Sequence, residues 1–174
     1  LKARDSDPER SLAACLAIGA EPRGLLVQRD TYFRTRHGRL KLREEEGARA
    51  HLIAYERPDR SGQRESRYRI VTVEKADEIK AALAIALGVG AVVAKERRLF
   101  LWEGVRIHLD RVDRLGHFVE FEAPAGDGGA DAIAATARVE SLCRALEVDG
   151  DALVAGSYSD LALALPGGEA VERA

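Results

Sequence analysis
The 174-residue chain has no methionine, two cysteines, five prolines, one tryptophan and 5% aromatic residues. Without a methionine, the initiator and the residues after it are expected upstream of Leu1. Cys15 and Cys143 lie in separate apolar helical stripes and lack CxxC or metal-type spacing, which leaves a zinc site unsupported. Buried free thiols in a reducing cytoplasm fit them instead. No apolar run reaches about 18 residues, so no membrane span is expected, and no charged-then-apolar leader marks a signal peptide. The basic strands lack interleaved aromatics, which argues against nucleic acid as a partner. Neither internal repeats nor low-complexity segments occur.

What the chain does have is charge, unevenly placed. Its formal net charge is −2. Residues 34–69 hold eleven Lys/Arg against six Asp/Glu, and residues 110–174 hold five against thirteen. A basic half and an acidic half suit a charge-complementary internal site, or a polyanion bound with a metal. The plain alternative is a set of solvated strand faces.

Strand periodicity sharpens that choice. His108 to Glu122 (HLDRVDRLGHFVEFE) reads as a hairpin turning at Leu115-Gly116. Alternation puts Arg106, His108 and Asp110 on one face, with Glu120 and Glu122 sharing a face of the next strand. Arg39, Lys41 and Arg43 alternate with Leu40 and Leu42. Arg67 and Arg69 share a side of RESRYRIVTV, and Lys95 and Arg97 face one way in VAKERRLF. A first strand near Leu1–Arg4, helices from Asp7-Pro8 to Gly19, over 74–87 and about 132–146, and a short turn after Asp149 complete the pattern. Strands following strands directly make this α+β: about eight mostly antiparallel strands with three or four helices outside. One domain over residues 1–165 is expected, with 166–174 a flexible tail.

These residues resemble the CYTH superfamily, the triphosphate tunnel metalloenzymes. Lys2 in LKAR matches the lysine closing that family's ExExK motif, whose two glutamates would lie upstream of Leu1. Lys41 and Arg43 match its KLR strand, Arg57 its basic residue before proline, and Lys95 and Arg97 its KxR strand. Asp110, Val112, Leu115, Gly116, Phe118, Glu120 and Glu122 match D-x-V…LG-x-F-x-E-x-E. Tyr158 in GSYSDLAL matches a C-terminal SYxxLL segment. The resemblance implies an eight-stranded closed barrel enclosing a triphosphate. Lys41, Arg43, Arg57, Arg67, Arg69, Lys95, Arg97 and Tyr158 would hold phosphate. Asp110, Glu120 and Glu122 would hold Mg²⁺ or Mn²⁺, with Lys2 and Asp110 as catalytic residues.

Three functions follow as expectations. The first is a metal-dependent triphosphatase acting on tripolyphosphate, thiamine triphosphate or a nucleoside triphosphate such as ATP. The second is a class IV adenylyl cyclase converting ATP to cyclic AMP and pyrophosphate. The third is a binding module for polyphosphate or nucleotide without turnover. The protein is expected to be cytoplasmic and off the membrane, and a homodimer is compatible with the architecture. His108 reads as a satisfied hairpin histidine, and Trp102 as core or rim.

Overall fold
The computed structural model describes residues 1–56, 67–124 and 129–166. Arg57 and the tail from residue 167 lie outside the described residues.

Eight strands form one antiparallel sheet: β1 (Lys2–Arg4), β2 (Glu21–Phe33), β3 (Arg39–Glu45), β4 (Ala50–Glu56), β5 (Arg67–Val73), β6 (Val89–Trp102), β7 (Val105–Val112) and β8 (Gly116–Glu122). Their spatial order is β1-β8-β7-β6-β2-β3-β4-β5. The long strands β2 and β6 pair at the centre, from Glu21↔Leu101 to Phe33↔Val89. Each neighbouring hairpin then extends the sheet outward. The antiparallel strands and outer helices bear out the α+β expectation; closure does not follow. Among the described residues β1 and β5 are the two edges, and no hydrogen-bonded register joins them.

Alternation gives the sheet two unlike faces. On one, Phe100, Ile107, Leu109, Val119 and Phe121 pack with Cys15, Val139, Leu142 and Leu146, which come from α1 (Pro8–Ala17) and α3 (Gly129–Ala145). Further along the same face, Phe33, Leu42 and Ala50 pack beneath Leu83 and Ala84 of α2 (Ala76–Leu87). Asp7 starts α1 as its N-cap by accepting the Arg10 amide, with Pro8 in the first turn where its missing N–H costs nothing. Gly88 ends α2 at φ 74°, a conformation open to glycine without penalty.

The other face carries the charged rows, and one helix lies on it. In α4 (Tyr158–Leu163) the capping box of Ser157 and Asp160 satisfies the first turn. Tyr158, Leu161 and Ala162 pack against Tyr32, Ala91, Val93, Val112 and Phe118. Ala91 and Val93 belong to the same β6 row as Lys95 and Arg97, so α4 fills one half of the polar face and leaves the charges on the other. Asp160 also reaches β3, accepting from Arg39 at 2.9 Å.

Candidate functional site
The register collects the polar face into two adjoining clusters. The first surrounds Asp30 of β2, which is 1% exposed. Its Oδ2 accepts from Lys41 Nζ and Lys95 Nζ, each at 2.9 Å. Arg43 grips it from the side, Nε to Oδ1 at 2.7 Å and Nη2 to Oδ2 at 2.8 Å. Three cations therefore share one carboxylate. Lys41 and Arg43 arrive from β3, because Tyr32 pairs with Lys41 and Asp30 with Arg43. Lys95 arrives from β6, opposite Gln28.

Burial pushes the Asp30 carboxyl up, yet Lys41, Lys95 and Arg43 outweigh it and hold it well below the usual range. Burial lowers Lys41 to about 7; Asp30 pulls it back up, while Arg43 and Lys95 push it further down. Lys95 is lowered as well, by burial first and then by Arg43 and Arg97, against the pull of Asp30. One carboxylate does not neutralise three buried cations, so the surplus appears as a lysine that gives up its proton readily. An anion with several oxygens would relieve this by pairing all three.

The second cluster surrounds Arg97. Its Nε donates to Asp110 Oδ1 at 2.7 Å, and its Nη2 to Asp110 Oδ2 at 2.6 Å and Glu120 Oε2 at 2.9 Å. Tyr158 adds a hydroxyl donor to Asp110 Oδ2 at 2.8 Å. The Lys2 ammonium stands 3.7 Å from the Tyr158 ring centroid, placed there by the pairing of Lys2 with Glu120. Burial raises the Glu120 carboxyl, but Lys2, His108 and Arg97 together bring it well below its usual range. Burial and the nearby Asp110 and Glu120 carboxylates keep the Tyr158 phenol protonated. His108 lies between two carboxylates, Nδ1 3.5 Å from Glu120 and Nε2 3.9 Å from Glu122.

Lys2, Lys41, Arg43, Lys95, Arg97, Asp110, Glu120 and Tyr158 thus share one face, with half-exposed Glu122 at its margin. Arg69 does not join them. Lys41 pairs with Ile53, which pairs with Ile70. Arg69 pairs with Ala54 one position along, so it belongs to the alternate row and is exposed. Arg67 pairs with Glu56, two positions from Arg69. A one-residue difference in register moves a whole strand's side chains to the other face.

Both Asp110 oxygens accept from Arg97, and Oδ2 also accepts from Tyr158, so Asp110 orients Arg97. Among the described residues no group of three or more His, Cys, Asp or Glu gathers to hold a metal. Glu120 and Glu122 stand two positions apart on one row of β8. Two carboxylates suit Mg²⁺, which keeps several waters and is commonly held by one or two carboxylates plus substrate phosphates.

Asp30 is the residue that sequence reasoning missed. The stretch LLVQRDTYFR has strand propensity, and its alternation places Gln28, Asp30 and Tyr32 in one row. A lone acidic residue on a strand beside a strongly basic segment is the available signal.

The CYTH domain model matches residues 1–152. The PH1012 protein of Pyrococcus horikoshii superposes with a TM-score of 0.81 at 20% identity, covering 92% of this chain and 96% of that one. A conserved hypothetical protein of Pyrococcus furiosus gives 0.80 at 18% identity, over the same shares. A Vibrio parahaemolyticus protein provisionally named an adenylate cyclase gives 0.76 at 22%, covering 92% and 94%. No curated protein matches the chain. With the family model spanning most of its length and its matched strands carrying both charge clusters, this chain belongs to the CYTH domain family.

Proposed function
We propose that the chain binds a triphosphate on its charged sheet face and hydrolyses it with the help of a divalent metal. The observation that carries this is the Asp30 cluster. Lys41, Lys95 and Arg43 converge from two strands on one carboxylate, an arrangement short of negative charge that a polyanion completes. Arg43 supplies a planar fork and the lysines supply point charges. Asp110, itself fixed by Tyr158, holds the Arg97 guanidinium beside them. The Lys2 ammonium stands over the Tyr158 ring as a further cation.

Glu120 and Glu122 are the residues through which Mg²⁺ or Mn²⁺ would be held. When bound, such an ion neutralises phosphate charge and polarises the bond that breaks. The chain's own contribution is to grip and orient the phosphate chain, which in phosphoryl transfer supplies most of the catalysis. A cyclase is the second reading, favoured by the provisional name of the Vibrio parahaemolyticus protein.

Incubation with tripolyphosphate or ATP, plus Mg²⁺ or Mn²⁺, separates the readings by product. Orthophosphate from tripolyphosphate is the expected result. Cyclic AMP with pyrophosphate moves the assignment to the cyclase. Binding that persists in chelator, with no product under any condition, leaves a binding module. No binding of any polyphosphate refutes the proposal.

A further inference from the structure
Gln28 is the neighbour of Asp30 in the polar row of β2, flanked by Glu45 of β3 on one side and Lys95 of β6 on the other. The residue is only 4% exposed, and its Nε2 donates to Glu45 Oε2 at 2.5 Å. That bond settles which way the amide points. A carboxylate only accepts, so the amide nitrogen faces Glu45 and the amide oxygen is turned away from it. Among the described residues, Gln28 Oε1 is the one buried side-chain polar atom with no partner in the protein. A buried acceptor left unpaired lowers stability, and such a group calls for a partner from outside the chain. Gln28, Glu45 and Lys95 all line one cavity of about 450 Å³, far more room than a water molecule needs.

The groups that converge on Asp30 are all donors: Lys41, Arg43 and Lys95. Donors suit phosphate oxygens. Gln28 Oε1 is an acceptor in their midst, and an ionised phosphate oxygen has no proton to give it. A small molecule that carries protons fits between that acceptor and a phosphate chain, and water is the one at hand. We propose that Gln28 Oε1 orients the water that attacks the phosphate chain, and that Glu45 is the positioning residue that keeps the amide turned toward it. This rests on the hydrolytic reading above and adds the residue that places its nucleophile. In the step, the water oxygen bonds to the terminal phosphorus. The bond from that phosphorus to the bridging oxygen breaks, and its electron pair leaves with pyrophosphate. The water's proton passes to the phosphate oxygens, because an amide oxygen accepts a hydrogen bond without taking the proton. Gln28 therefore contributes direction rather than basicity, which is the larger need in phosphoryl transfer.

The test compares the full chain with Gln28→Met, which keeps the length of the side chain and removes the acceptor. Tripolyphosphate turnover is followed with Mg²⁺ or Mn²⁺, and tripolyphosphate affinity by calorimetry in chelator, where no turnover intervenes. The expected result is a fall in kcat of about tenfold to a hundredfold with affinity unchanged within about twofold. A glutamine that only ties β2 to β3 would shift the melting temperature and leave kcat per folded molecule as it was, which overturns the inference. Equal losses of affinity and kcat also overturn it, since Gln28 then touches the phosphate chain itself. Glu45→Gln, at a half-buried position, serves where Gln28→Met does not fold. Its neutral amide can donate as well as accept, so the Gln28 amide is free to turn over. In that variant kcat should fall while tripolyphosphate binds in chelator as before, and an unchanged kcat overturns the inference. Orthophosphate release by the unaltered protein tests the hydrolytic reading separately: its absence under every condition removes that reading and this inference together, whereas its presence with an indifferent Gln28→Met removes the inference alone.

Discussion

Lys41 offers the most direct measurement on the site. Its ammonium is brought down to about 7 by burial and by Arg43 and Lys95, only partly offset by Asp30. A bound polyanion would add negative charge around it and draw the proton back. At pH 8 only about one unliganded molecule in ten carries the charged lysine, so binding a phosphate chain takes up close to one proton. Above pH 7 the affinity contributed by Lys41 should fall about tenfold per pH unit until the bound-state pKa is reached. Below pH 7 that dependence vanishes, because the lysine is already charged. Calorimetry with tripolyphosphate in two buffers of different ionisation enthalpy counts the protons directly. Tripolyphosphate titrates in the same range, so the comparison is with Lys41→Arg, whose guanidinium stays charged throughout. The variant should show a flatter affinity profile between pH 7 and 9 and lose the proton uptake due to Lys41. Identical profiles for both proteins would refute the reasoning. Stability carries the same signature with its own sign. Between pH 7 and Lys41's ordinary value of 10.5, the unfolded chain binds the proton that the folded chain releases. The Lys41 contribution to folding therefore becomes more favourable as pH rises through that window.

Asp30→Asn should lower stability by about 3–5 kcal/mol, since it strands three buried cations. Tripolyphosphate should raise the melting temperature of this variant more than that of the unaltered protein, which differential scanning fluorimetry reads; an equal shift in both would mean that the anion does not replace the carboxylate. Arg43→Ala should weaken tripolyphosphate binding at least tenfold, while Arg69→Ala, on the alternate row, should leave it within about twofold; titrations of both variants decide this, and a large loss from Arg69→Ala would refute the facing argument. Glu120→Gln should abolish Mg²⁺- or Mn²⁺-dependent phosphate release while tripolyphosphate still binds in chelator, and near-full turnover would remove Glu120 from the metal site.

Local pattern carried far into this fold because its signals are short-range. Period-two alternation named the paired faces of β3, β6, β7 and β8, and Asp7-Pro8 and Gly88 bounded helices by the chemistry of their termini. Motif spacing then brought Lys41, Arg43, Lys95, Arg97, Asp110 and Glu120 under one family pattern. Which row of β5 faces those residues lay outside that reach. The alternation of β5 says that Arg67 and Arg69 share a side, but only its pairing with β4 says which side, and that depends on contacts between strands. Asp30 stayed hidden for a related reason. A single carboxylate has no periodicity, and its meaning comes from three cations delivered by other strands. Closure is likewise a property of edges rather than of any one strand, and among the described residues α4 occupies the polar face while no register joins β1 to β5. The sequence by itself determined the strands, their charged rows and the family. Tertiary structure alone decided which rows meet, because charges distant along the chain interact only after the sheet has set their separation and removed their water.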